Sequence, residues 1–287
     1  MNGTDGDFVT LEQEDLTLGK IFPCCAKGDR MSDKLKLYDG HWLKAYWAAK
    51  DVIARVSPGT LEAFVESFAV LRTDPIFTPK NLTQAFDPAA LAGVKETIRS
   101  IPKEKFEMHE LERFGRFVVH NYPAFTDLHQ TLVDSVSEWA GEEVEPSYNF
   151  LSMYTKRGIC EPHLDNPTAK WTLDVCIDQS EPWPIYFSQI LPWPEERVQL
   201  GDDWRAELKS IPNLAYEAQV LMPGDAVLFS GSSQWHYRDS FPATAGKRFC
   251  DLLFFHFFPK GAANILKPKN WASHFGIPEL LEIPEVY

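Results

Sequence analysis

The chain has 287 residues, 44% of them hydrophobic and 24% charged, which excludes wholesale disorder and allows one large domain or two small ones. Its 41 acidic and 28 basic residues leave a formal charge of -13 without any long basic block, an argument against a nucleic-acid partner. The most apolar run, Leu252 to Phe258, is interrupted by His256 and is far shorter than the roughly 20 residues a membrane-spanning helix needs, so no membrane partner is expected. Five cysteines, including the adjacent Cys24 and Cys25, form neither a disulfide framework nor a C-x-x-C zinc pattern. Met1 to Asp7 has neither the basic start nor the apolar core of a secretory signal, so a reduced, cytoplasmic protein is expected.

The first half reads as helical. Asp39 to Val56 and Thr60 to Leu71 carry apolar residues at helical spacing, and Lys80 to Ser100 is helix-permissive. Between Thr126 and Val144, Leu128, Leu132, Val133, Val136, Trp139 and Ala140 make a helical stripe. These segments carry no evident chemistry and are expected to pack.

After Pro146 the pattern changes to short β-prone runs: Tyr148 to Tyr154, Lys170 to Ile177, Ile185 to Ile190, Tyr216 to Leu221, Ala226 to Phe229, Trp235 to Arg238 and Phe249 to Phe258. Short strands punctuated by Pro, Gly and Asp suggest a sandwich or barrel. With no flexible linker at the switch, the expectation is one domain over residues 1–287. Residues 1–145 would form a helical support, 146–260 a jelly-roll core and 261–287 a C-terminal extension.

Two pieces of the β half carry chemistry. In His163-Leu-Asp165, residues two apart on an extended strand share a face, so an imidazole and a carboxylate converge. A strand-like run from Pro223 to Gly231 leads to His236, and Arg248, twelve positions after it, opens the last strand. Two histidines and one carboxylate form the facial triad of non-haem iron, which leaves coordination positions open. A planar guanidinium pointing into a barrel suits a carboxylate, because its fork binds both oxygens.

His163-x-Asp165, His236, Arg248 and Tyr154, nine positions before His163, together resemble the signature of the iron(II)- and 2-oxoglutarate-dependent oxygenases, in the prolyl-hydroxylase-like pattern. The resemblance spans roughly Tyr148 to Phe258. It implies an α+β protein whose core is a double-stranded β-helix, a cupin-like jelly-roll barrel behind an N-terminal helical layer. It implies Fe(II) on His163, Asp165 and His236, with 2-oxoglutarate and O2 as co-reactants. Arg248 would pair with the far carboxylate of 2-oxoglutarate, and Tyr154 would hydrogen-bond the same cosubstrate. The activity implied is that of a dioxygenase. Because Asp165 is present, hydroxylation is the default outcome and halogenation is disfavoured.

Arg238 shares strand parity with His236 and competes with Arg248 as carboxylate partner, or binds an acidic substrate. Trp171 and Trp235 flank the metal motifs as candidate substrate contacts. Trp204 is a further candidate, in the long connection Leu191 to Asn213, which is expected to form part of a substrate lid. His256 shares parity with Arg248 and reads as a satisfied core histidine. His41, His109, His120, His129 and His274 fit no ligand spacing and read as surface or packing residues. Cys160 and Cys176 read as small buried apolar groups. The favoured function is hydroxylation of a small molecule, an amino acid or natural-product intermediate, with decarboxylation of 2-oxoglutarate to succinate. A protein or peptide hydroxylase and a non-enzymatic metabolite-binding jelly roll are the alternatives.

Overall fold

Aromatic residues three and four apart dominate the first helix, and they decide what it packs against. The computed structural model describes residues 40–194, 208, 214–241 and 246–283. Helix α1 (Gly40–Val56) buries Trp42, Leu43, Tyr46, Trp47 and Ile53, a helical stripe. Helix α2 (Leu61–Ser67) sets Phe64 beside it, with ring centroids of Tyr46 and Phe64 5.8 Å apart. A short strand, β1 (Lys80–Leu82), precedes α3 (Pro88–Ser100). The start of α3 is fixed chemically: Asp87 accepts from the amides of Ala89 and Ala90, and Pro88 occupies the first turn, where no amide hydrogen is needed.

Then come α4 (Leu111–Phe114), β2 (Arg116–His120), α5 (Pro123–Thr131) and α6 (Val133–Ala140). The apolar stripe of Thr126 to Val144 is therefore two helices rather than one. α5 starts at Pro123, the chain resets at Leu132, and α6 stops at Gly141, whose φ of 77° suits a residue without a side chain. The split lets Phe125 and His129 on α5 and Val136 on α6 bury separately. β1 lies in a segment without a marked strand pattern.

The β half holds the seven expected strands and one more, β4, in the order β3 (Val144–Tyr154), β4 (Cys160–His163), β5 (Trp171–Gln179), β6 (Ile185–Ser188), β7 (Tyr216–Gln219), β8 (Ala226–Ser230), β9 (His236–Arg238) and β10 (Cys250–Pro259), then α7 (Trp271–Phe275). Among the described residues these strands make two antiparallel sheets, ordered β1-β8-β5-β10-β3-β2 and β4-β9-β6-β7. Alternation sorts the six-stranded sheet. Leu151, Leu173, Val175, Leu253, Phe255 and Phe257 join a core with Val94 of α3, Phe125 of α5 and Val136 of α6. Residues of opposite parity, among them Tyr154, Cys176, Leu252 and Phe254, pack with Ile185 and Phe187 of the four-stranded sheet. α1, α2 and α7 form a third core with Leu164 and Trp235. Among the described residues no helix is long and apolar enough to cross a membrane.

Candidate metal centre

β4 and β9 run antiparallel with His163 directly opposite His236, which places the two imidazoles 4.1 Å apart between ring centroids. Each ring is fixed by a carbonyl two residues earlier. His163 Nδ1 lies 2.8 Å from the oxygen of Glu161, and His236 Nδ1 lies 3.0 Å from that of Gln234. A carbonyl only accepts, so each Nδ1 carries a proton, and in the neutral ring Nε2 keeps the lone pair. Asp165 lies two residues past His163, beyond the end of β4, anchored by its amide to the oxygen of Gly231 at 2.8 Å. Its Oδ1 faces both lone pairs, 3.5 Å from His163 Nε2 and 3.7 Å from His236 Nε2. Among the described residues these three form the group able to hold a metal ion, with ligand atoms within 4.8 Å of one another.

Electrostatics fit such an ion. Burial pushes His236 down to about 3, assisted by the neighbouring His163, so it stays neutral. Burial opposes charge on His163 too, but Cys160 and Asp165 outweigh it and raise its affinity for a proton. Asp165 resists burial and stays ionised because the two imidazoles hold it well below the usual carboxylate range. A cation placed among the three would take over the role of the proton on His163.

Gly231 makes room for the cluster. A methyl group there would collide with Asp165 Oδ2 and lie 2.6 Å from the Ala169 oxygen and 2.7 Å from Thr172 Oγ1. Thr172 on β5 donates to Asp165 Oδ2 at 3.1 Å and sits 3.0 Å from His256 Nδ1.

From the triad a cavity of about 230 Å³ extends between the sheets, walled by Phe150, Ile185, Phe229 and Phe254. Tyr154, Arg116 and Arg238 also line it. The Tyr154 hydroxyl accepts from Arg116 Nη1 at 2.8 Å, and Arg116 Nε in turn donates to Glu110. Arg238 donates to Asp174 Oδ2 at 2.8 Å, with both side chains buried, and to the oxygen of Trp183. Burial raises the Asp174 carboxyl, and the Arg238 guanidinium only partly offsets it.

The structure thus brings His163, Asp165, His236, Tyr154 and Arg238 to one cavity. It separates the rest. Arg248 does not line the cavity; its Nη1 lies 2.6 Å from Glu181 Oε1, just before β10 begins. Trp171 faces the helix-covered side of β5 because its parity is opposite to Thr172; its ring packs on Phe77 at 4.8 Å and its indole donates to Glu142 at 2.5 Å. Trp235 alternates away from His236 into the core of α1, α2 and α7. Neither tryptophan lines the cavity, contrary to the expectation from sequence.

Trp204 lies outside the described residues, as does most of the connection from Leu191 to Asn213; of its described part, Trp193 packs on Trp42 and Tyr46. Sequence reasoning also missed Arg116, Thr172, Cys160 and His120, all of which line the cavity. The run Arg116-Phe-Val-Val-His held the signal: a β-branched pair before the turn at Asn121 marks a strand, and Arg116 and His120 share its face.

No family model matches the chain, and no curated protein matches it. Solved structures similar to it include HygX from Streptomyces hygroscopicus with nickel and 2-oxoglutarate bound, at 12% identity and a TM-score of 0.44 over 64% of this chain and 83% of that one. The α-ketoglutarate-dependent carbocyclase SnoK from nogalamycin biosynthesis matches at 12% identity and a TM-score of 0.49, over 62% and 79%. The epimerase SnoN from the same biosynthesis matches at 14% identity and 0.47, over 74% and 88%.

Proposed function

We propose that the chain is an iron(II)- and 2-oxoglutarate-dependent oxygenase that oxidises a small molecule. The observation that carries this reading is the opposed pair of imidazoles facing one carboxylate oxygen in the wall of the cavity. Two nitrogens and one oxygen without thiolate suit iron(II) and leave positions open for a chelating 2-oxo acid and dioxygen. The pairing of a six-stranded with a four-stranded antiparallel sheet supports a double-stranded β-helix.

His163 and His236 would bind through Nε2 and Asp165 through Oδ1. When bound, iron(II) with 2-oxoglutarate supplies the oxidation: one oxygen atom of O2 enters the substrate C–H bond, and the other enters succinate as CO2 leaves. The chain's own groups orient the reactants. Tyr154 and Arg238 are offered to the far carboxylate of the cosubstrate from the cavity wall, with Arg116 and Asp174 holding them in place. Arg248 reaches that carboxylate only by leaving Glu181. Phe150, Ile185 and Phe254 keep the space apolar, which strengthens each polar contact made within it. A space of about 230 Å³ supports a metabolite-sized reactant over a peptide.

The test is incubation with iron(II), ascorbate, 2-oxoglutarate and a metabolite panel, following succinate and a gain of one oxygen by mass spectrometry. Iron-dependent succinate that disappears in His236→Ala supports the reading. A chain that binds metabolites but never converts 2-oxoglutarate, with iron bound, is a non-enzymatic jelly roll.

A further inference from the structure

We propose that Thr172 and His256 are positioning residues that hold Asp165 so that a single carboxylate oxygen, Oδ1, is presented to the metal. The inference rests on the reading of His163, Asp165 and His236 as a metal site. Its starting point is the division of labour within the Asp165 carboxylate. Oδ1 faces His163 Nε2 and His236 Nε2, whereas Oδ2 is held 3.1 Å from Thr172 Oγ1. An ionised carboxylate only accepts, so the single hydroxyl proton of Thr172 points at Oδ2. The contact between Thr172 Oγ1 and His256 Nδ1, at 3.0 Å, then needs its proton from the imidazole. The chain of donation runs one way, from His256 Nδ1–H to Thr172 and from Thr172 to Asp165.

Two further observations agree with that direction. His256 Nε2 is buried and meets no hydrogen-bond partner among the described residues. A proton there would leave a buried donor unmet, a costlier arrangement than an unmet lone pair, so the proton belongs on Nδ1. The ring itself cannot swing: it stacks on Tyr148 at 4.2 Å and on Phe150 at 5.4 Å. From the other side, the Asp165 amide is tied to Gly231, whose missing side chain is what lets Thr172 come close. Both the backbone and the second oxygen of Asp165 are therefore fixed before any ion arrives. Held this way, Oδ2 cannot turn toward the ion, and one coordination position that a bidentate carboxylate would occupy is kept for exchangeable ligands.

The test is cobalt(II) titration of the full, metal-stripped chain, reading affinity and the visible absorption of the bound ion. Groups that orient metal ligands typically contribute about 10–100-fold in metal affinity. Thr172→Val should weaken cobalt about tenfold and change its spectrum, His256→Phe should weaken it several-fold, and Thr172→Ser should restore both readouts. Because the two residues act in series, the double variant should bind no worse than Thr172→Val by more than about twofold. Melting of the metal-free proteins checks that each variant is folded; if Thr172→Val is not, His256→Phe and Thr172→Ser carry the comparison. Unchanged affinity and spectrum in both His256→Phe and Thr172→Val would overturn the proposal, and so would a loss confined to Thr172→Val. A wild-type chain that takes up no cobalt, or a His236→Ala chain that takes it up as tightly, would instead sink the metal reading itself.

Discussion

Replacing Arg238 by alanine separates the guanidinium that lines the cavity from the one the sequence pattern favoured. Arg238 and Asp174 form an ion pair with 3% and 0% side-chain exposure. Hydrogen bonds to a charged group contribute about 1.5–3 kcal/mol, so losing the guanidinium should weaken 2-oxoglutarate by about 10–150-fold. Arg248 pairs with Glu181 instead and does not line the cavity, so Arg248→Ala should weaken 2-oxoglutarate by less than about fivefold.

The Arg238 variant carries a second cost, because breaking a buried pair from one side destabilises by about 3–5 kcal/mol. Part of that is avoidable: the Asp174 carboxyl is already held above its ordinary range, so it can protonate when its partner is gone. The double variant Arg238→Ala/Asp174→Asn removes the stranded charge. It should recover much of the melting temperature and none of the 2-oxoglutarate affinity. The assay is calorimetric titration of 2-oxoglutarate into manganese(II)-loaded protein, beside thermal melts of each variant. Wild-type affinity in Arg238→Ala with a loss of about a hundredfold in Arg248→Ala would refute the reasoning. It would mean that Arg248 leaves Glu181 to hold the cosubstrate.

His163→Ala and His236→Ala should each abolish stoichiometric iron(II) binding, measured by metal analysis after desalting, while leaving the metal-free melt within a few degrees of wild type. Gly231→Ala should lose metal as well, and overpacking of this kind typically costs about 1–3 kcal/mol, visible as a lowered denaturant midpoint. Asp251 tests the pH dependence of the fold: burial, then repulsion from Asp178, pushes its carboxyl up to about 7, against the favourable Lys95. A carboxyl raised in the fold binds its proton there more tightly than in the unfolded chain, so stability falls as pH rises from about 4 to 7 and is flat above. Asp251→Asn should therefore stabilise by about 1–3 kcal/mol at pH 8 and by clearly less at pH 5, read from urea midpoints at both values; an equal gain at both would refute the assignment.

The β half was legible because its β-prone runs are punctuated by Pro, Gly and Asp. Seven runs read from sequence correspond to β3 and β5 through β10. β1 has three residues, none of them strongly β-prone, and exists because it pairs with β8 through Lys80 to Leu82. No local pattern could supply that pairing. The stripe from Thr126 to Val144 was legible as helix but not as two helices, because periodicity survives a one-residue reset at Leu132. The end of that stripe was also misplaced: Val144 begins β3, where its pairing with Pro259 outweighs helical spacing.

The site divides along the same line between local and distant information. His163 and Asp165 lie two apart, so they are near each other in any fold, although it is the Asp165 amide bond to Gly231, past the end of β4, that aims the carboxylate. The opposition of His236 to His163 is a register between β4 and β9, legible only through an ordered motif. Alternation also decides the tryptophans: Trp171 and Trp235 each adjoin an inward residue, Thr172 and His236, and therefore face away. Arg248 shows where alternation stops, since it lies before β10 and outside the pleat that turns Leu252, Phe254 and His256 inward. Parity fixes a side chain's face only where a ladder holds the backbone. Arg238 sits within such a ladder, paired across to Cys160, and its direction into the cavity follows from the sheet rather than from the ligand it would meet.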